Sequence, residues 1–278
     1  MQSVSFTTKL QKRWEEKLFL CVNLDPDVSK FPTSITAGVS KEEAIFNFNK
    51  AIIDATNHVA LAYKPNSGFY EAEAEEGMRA LKRTSTYIHE AYPDIPVILD
   101  AKRGDIEHTN IGYAKAVFDE LEMDAVTVSP YLGGASLEPF LSRKDKGVIV
   151  LVKTSNPGSG ELQDLPVNNM QKLYQKVAWH VANEWNKNGN CAVVVGATYP
   201  AELQNVRAMI GDMPILIPGI GAQGGDIRET IHAGKNSKGA GIIIAAGRSI
   251  IYASNDENFA SAAQKEAERL AEEIRKNL

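Results

Sequence analysis

Val97-Ile98-Leu99-Asp100-Ala101-Lys102-Arg103-Gly104-Asp105-Ile106-Glu107-His108-Thr109-Asn110 is the stretch on which the reading of this chain turns. It opens as a short apolar, β-branched run and ends in an acid, a base and an acid at spacings of two and three. Residues i and i+2 of a strand share a face, so Asp100 and Lys102 are expected to point the same way from the strand's end. Asp105 is expected in the turn beyond, where Gly104 frees the backbone. Three alternating charges in so short a stretch are costly unless they form a network or act on something.

Seven more short β-branched runs accompany this one. In chain order the eight are Leu18–Leu24, Val59–Lys64, Val97–Lys102, Ala125–Ser129, Gly147–Lys153, Cys191–Gly196, Pro214–Pro218 and Gly241–Ala246. Each is apolar on both faces, as buried parallel strands are. Most gaps between them read as helices. Ser40-Lys41-Glu42-Glu43 is a capping box, followed by Ala44, Ile45, Phe48, Ile52 and Ala55 on one face. A second helix is expected from about Val167 to Asn188, with Met170, Leu173, Val177, Val181 and Trp185 as its stripe. Pro200 suits the first turn of a third. The link between the fourth and fifth runs is short, with Ala135–Leu141 as its helix. Eight such alternations predict an α/β fold, a (β/α)8 TIM barrel, with extra N- and C-terminal helices over about 6–17 and 257–276. No linker or repeat interrupts residues 1–278, so one barrel domain is expected.

Composition narrows the function. Thirty Lys and Arg face 35 Asp and Glu, a net charge of −5, and no basic stripe is visible. Nucleic acid is therefore not an expected partner. No apolar run reaches the length of a membrane span, and Met1–Leu10 lacks the apolar block of a signal peptide. Cys21 and Cys191 lie within apolar strand runs and read as buried thiols, which fits a reducing cytoplasm. The five histidines form no two-His metal spacing with a matching acid, so no metal is expected.

Active sites of barrels lie at the C-terminal ends of the strands. Asp25, Lys64, Asp100, Lys102, Lys153, Thr154, Ser155, Gly219–Gly225, Gly247 and Arg248 all fall at or just beyond those ends. Pro218-Gly219-Ile220-Gly221-Ala222-Gln223-Gly224-Gly225 contains a formal G-x-G-x-x-G, but it follows the seventh strand rather than opening a first βαβ unit. A phosphate site suits it better: loop amides and the side chain of Gln223 donate, and Arg248 past the eighth strand supplies a cation. Ser155-Asn156-Pro157-Gly158-Ser159-Gly160 reads as a turn-rich loop, either plain or a lid whose Ser155 bonds a heterocycle. Lys64 could be a Schiff-base nucleophile, an ion-pair partner or a surface residue; the nearby acid favours the ion pair.

Asp100-Ala101-Lys102-x-x-Asp105-Ile106-x-x-Thr109-Asn110 resembles the catalytic signature of the orotidine 5'-phosphate decarboxylase family. Asn23-Leu24-Asp25 looks like its first-strand motif, Lys64 like its second-strand lysine and Thr154–Gly158 like its pyrimidine-contacting loop. Pro218–Gly225 and Gly247-Arg248-Ser249 look like its phosphate site. Lys64–Phe69 resembles a longer, monofunctional subfamily, while Arg103-Gly104 replaces a small apolar pair often found there. The resemblance implies conversion of orotidine 5'-monophosphate to uridine 5'-monophosphate and CO2 without metal or organic cofactor. It implies catalysis by Lys102, Asp100, Asp105 and Lys64, and substrate binding by Asp25, Ile106, Thr109, Ser155, Pro218, Gln223, Gly247 and Arg248. It also implies a cytoplasmic homodimer in which Asp105, Ile106 and Thr109 reach the neighbouring site. The D-x-K-x-x-D spacing alone is shared with phosphosugar decarboxylases and synthases. A phosphosugar lyase or aldolase using Lys64 or Lys153, and a non-catalytic nucleotide-binding protein, therefore stay open.

Overall fold

A computed structural model describes residues 4–167, 171–220 and 225–278. The eight apolar runs pair as parallel strands: β1 (Leu20–Leu24), β2 (Ala60–Pro65), β3 (Ile98–Arg103), β4 (Ala125–Val128), β5 (Gly147–Lys153), β6 (Cys191–Val195), β7 (Ile215–Pro218) and β8 (Ile242–Ala246). Their order is β2-β1-β8-β7-β6-β5-β4-β3. Bridges from Tyr63 to Val97 and from Asn66 to Asp100 join β2 to β3, so the sheet curls into the expected (β/α)8 barrel.

The helices expected from local signals form around it. Ser40 caps α2 (Lys41–Thr56) by accepting from the Glu43 amide at 3.2 Å; α1 is Phe6–Glu15. The Phe48 ring of α2 stacks on Phe31 and on Phe259 of the C-terminal helix (Phe259–Lys276). The weakest link in the sequence holds as well, with a helix over Gly134–Leu141 between β4 and β5. Among the described residues no helix is long and apolar enough to cross a membrane.

The helix expected from Val167 is shorter than its periodicity implies. Pro166–Val167 pairs antiparallel with Gln171–Lys172, and the helix begins only at Leu173. It runs to His180 and widens into a π-turn over Val181–Trp185. Its buried line is Tyr174, Ala178 and Val181, with Leu173 and Val177 half-buried beside it. Proline at 166 and the pairing that follows hold the chain extended, and tertiary pairing overrides the helical pattern. Met170 lies outside the described residues.

α1 closes one end of the barrel and leaves the other open. The Phe6 ring occupies the space left by Gly147, where a Cβ would stand 2.2 Å from it. The Trp14 indole donates to the Ile242 carbonyl at 2.9 Å, and the Arg13 Nε to the Ala60 carbonyl at 3.1 Å. These contacts cover the N-terminal ends of β5, β8 and β2. The charged residues singled out in the sequence stand at the opposite, C-terminal ends.

Candidate active site

β3 leaves its register with β4 after Leu99 and regains it where Arg103 meets Val128. Asp100, Ala101 and Lys102 therefore stand against Thr127 alone, a bulge that re-aims their side chains. Lys102 has φ of 48°, a left-handed backbone uncommon for any residue but glycine. The two charges meet, but through this bulge rather than through the regular pleat the i, i+2 spacing predicts. Gly104 also serves differently from its expected role. A Cβ there would lie 2.7 Å from the Ser129 carbonyl, so the glycine permits close approach of two chain segments.

Asp100 is the centre of a charge network. Its Oδ1 accepts from the Lys102 ammonium at 2.7 Å, and its Oδ2 from the Lys64 ammonium at 2.8 Å. Burial alone would raise the Asp100 carboxyl, but Lys64 and Lys102 outweigh it and hold the group far below the ordinary carboxylate range. Lys64 is buried too. Burial would lower it, yet Asp100 and Asp25 prevail and keep it above the ordinary lysine value. Imine formation needs a neutral amine, so this charged Lys64 fits the ion-pair reading and not the Schiff-base one. Lys153, 1% exposed, is bound by Asp164 at 2.8 Å and lies over the Tyr199 ring.

Asp25 differs from Asp100. Its burial raises the carboxyl more than Lys64 lowers it. Among the described residues its Oδ1 is buried without a partner, as is the Oδ1 of Asn23 two residues earlier. The end of β1 that carries them is held firmly. Tyr252 donates its hydroxyl to the Asp25 carbonyl at 3.0 Å, and Tyr70 donates to the Leu24 carbonyl at 3.0 Å. Buried acceptors at a fixed strand end that borders a cavity are suited to a ligand's donors.

That cavity has a volume of about 410 Å3 and lies over the C-terminal strand ends. Asp25, Lys64, Asp100, Lys102, Thr154, Ser155 and Pro218 all line it, so these residues singled out in the sequence converge on one space. Gly247 is not part of its lining but packs against Asn23, which is: a Cβ at 247 would come within 2.9 Å of that side chain. Arg248 is exposed at the first turn of a short helix, Arg248–Ile251, and has no side-chain partner among the described residues. Gln223 lies outside the described residues. Asp105, Ile106 and Thr109 do not line this chain's own cavity. Asp105 accepts from the Ile106 amide at 2.7 Å, Ile106 is 61% exposed and Thr109 is exposed.

The sequence reading missed several wall residues. Leu151, Val194 and Leu216 give the cavity an apolar side, while Thr127 and Gln163 add polar groups. Gln163 holds the loop after β5, accepting from the Thr154 amide at 2.9 Å and donating to the Thr154 hydroxyl at 2.8 Å. Thr127 did leave a signal, as the one polar residue in Ala125-Val126-Thr127-Val128. Nothing local marks the three aliphatic residues, because strand interiors are full of them. Cys21 and Cys191 are buried and free, and burial pushes both thiols up to about 12. Among the described residues no group of His, Cys, Asp and Glu is placed to hold a metal ion.

Comparison with known proteins agrees with this geometry. The family model for the orotidine 5'-phosphate decarboxylase / HUMPS family matches residues 19–263. An orotidine 5'-phosphate decarboxylase of Cellvibrio japonicus is 48% identical, with 98% of each chain covered. One from Janthinobacterium is 50% identical over 95% of this chain and 96% of its own. The solved structure of Leishmania donovani OMP decarboxylase superposes with a TM-score of 0.85 at 37% identity, covering 99% of this chain and 98% of that one.

Proposed function

The chain belongs to the orotidine 5'-phosphate decarboxylase / HUMPS family, and from that premise we propose how its residues carry out the reaction. The protein is a carbon–carbon lyase that converts orotidine 5'-monophosphate to uridine 5'-monophosphate and CO2, in UMP synthesis. The Lys64–Asp100–Lys102 network on the cavity wall carries the mechanistic reading.

The bond between C6 of the pyrimidine and its carboxylate breaks, CO2 departs, and the electron pair stays on C6. That carbanion has little delocalisation, so the site must stabilise it with charge placed in advance. Lys102 is the more accessible of the two lysines, its side chain 49% exposed against 4% for Lys64. It stabilises the carbanion and then transfers one proton to C6, regaining it from solvent. Asp100, kept ionised by both lysines, orients Lys102 and lies beside the departing carboxylate. Lys64 and the unpartnered acceptor of Asp25 receive the ribose hydroxyls, and Ser155 bonds the pyrimidine. Pro218, Gln223, Gly247 and Arg248 hold the phosphate, far from C6. Binding energy gained there organises the loops around the reacting carbon. The two lysines supply the positive charge, and no metal or organic cofactor takes part.

Asp105, Ile106 and Thr109 belong, in this reading, to the site of a second copy in a homodimer. The exposure of Ile106 and Thr109, and the absence of all three from this chain's own cavity, support that. The whole chain, 1–278, acts as one barrel domain, and its two buried thiols suit the cytoplasm.

Subunit exchange tests the reading. Protein incubated with orotidine 5'-monophosphate should change the ultraviolet absorbance as the ring carboxylate is lost. Homodimers of Lys102→Ala and of Asp105→Ala should each be nearly inactive. A mixed dimer has one site lacking both residues and one intact site, so random exchange should restore about a quarter of wild-type activity. Exchange confirmed by mass analysis with no recovery would remove Asp105 from the neighbouring site.

A further inference from the structure

Thr127 sits where β3 parts from β4. Its side chain is buried, 1% exposed, yet it borders the cavity beside Asp100 and Lys102. Valine flanks it on both sides, and valine would suit this strand position. A buried hydroxyl is costly unless it is bonded, so the hydroxyl is what needs an account.

One oxygen makes two bonds. It accepts from the Lys102 backbone N–H at 2.9 Å and donates to Asp100 Oδ1 at 2.9 Å. The bulge takes that N–H out of ladder register, and Thr127 satisfies it instead. Asp100 Oδ1 is the same atom that takes the Lys102 ammonium at 2.7 Å. Both ends of Lys102, its left-handed backbone and its charged tip, are thus tied to one threonine, directly or through one carboxylate oxygen.

We propose that Thr127 is a positioning residue for decarboxylation: by holding the Lys102 backbone and the Asp100 carboxylate together, it sets where the Lys102 ammonium stands. The proposal rests on the reading of Lys102 as proton donor. Thr127 itself gives no proton to substrate, and its effect is on turnover rather than affinity.

Thr127→Val removes the hydroxyl at nearly constant volume. It should lower kcat about 10²-fold while leaving KM within about threefold, as expected when a proton donor is displaced but the phosphate grip is intact. Thr127→Ser keeps the hydroxyl and should recover most of the loss. Wild-type turnover by Thr127→Val, an equal loss in Thr127→Ser, or a loss confined to KM would overturn the proposal. If Thr127→Val fails to fold, Thr127→Ala against Thr127→Ser makes the same comparison, and equal rates overturn it. Lys102→Ala runs beside them. Should that variant still turn over, the proton-donor reading fails first. Should it be inactive while Thr127→Val is unimpaired, only the role of Thr127 falls.

Discussion

Asp100, half-buried, and Asp124, buried, are two acids at opposite ends of the barrel, with similar escorts. Asp100, in β3, binds Lys64 at 2.8 Å and Lys102 at 2.7 Å. Asp124, just before β4, binds Lys9 of α1 at 2.9 Å, His89 at 3.0 Å and the Val97 amide at 2.8 Å. In each case burial would raise the carboxyl and the partners override it, leaving it below its ordinary value. Cavity size does not separate them, since the cleft beside Asp124 is about 560 Å3 against about 410 Å3 at the other end.

What separates them is closure. The Lys9 side chain is 10% exposed, and its bond to Asp124 ties the N-terminal helix to the barrel floor. The Lys102 side chain is 49% exposed and faces a space bordered by acceptors on Asp25 and Asn23 that have no partner among the described residues. A network complete within the protein serves stability. One that ends in an accessible cation and unpaired acceptors is set for a ligand. Their positions agree, since the N-terminal face of such a barrel serves stability and the C-terminal face chemistry.

The comparison breaks if mutations at the two ends behave alike. The largest effect is expected from Lys102→Ala, which should lose at least ~10^4-fold in turnover, about 5 kcal/mol, while its melting curve stays near wild type. Steady-state assay and calorimetry on one preparation decide this, and a variant keeping a tenth of wild-type turnover would refute the assignment. Asp124→Ala should do the reverse. Stability should fall by about 3 kcal/mol because Lys9 is left buried without its partner, while the folded protein at low temperature should turn over substrate normally. Loss of turnover without loss of stability would make Asp124 part of the chemistry.

Arg248→Ala should cost about 10²-fold in kcat/KM on the phosphorylated substrate and far less on orotidine. Equal losses on both would make Arg248 structural. A finer distinction lies in acid. A carboxylate held below its unfolded value stabilises the fold above about pH 4, and that contribution is lost as pH falls through the lowered folded value. Asp124→Asn should therefore show a shallower loss of stability with acid than wild type, followed by denaturant titration from neutral pH downward. An unchanged slope would mean that Asp124 gains nothing from its partners. The smallest effect, none, is expected of chelation. Activity should survive a chelator, since two lysines supply the charge; inactivation with rescue by magnesium would contradict this.

Much of the barrel was legible because its signals are local. Ser40 and Glu43 mark a helix start, Pro200 another, and each strand run is apolar over a few residues. The failure at Val167 is equally instructive, since there an apparent helical stripe lost to pairing with Gln171–Lys172. Of the site, the charges at the strand ends were legible and their escorts were not. Asp124 drew no attention, since Lys9 lies 115 residues away in sequence.

Taken alone, the sequence determined the number and order of strands, the rim on which the charges stand, and the resemblance carried by Asp100, Lys102 and Asp105. Tertiary structure alone decided the bulge at Lys102, the hydroxyl of Thr127 that supports it, the crowding at Gly104 and the open acceptors of Asn23 and Asp25. The reason is physical. Strand and helix formation depend on neighbours a few residues apart, whereas the direction of a side chain at a strand's end depends on backbone angles set by register with another strand. A single residue of slip in that register turns a charge from one face to the other.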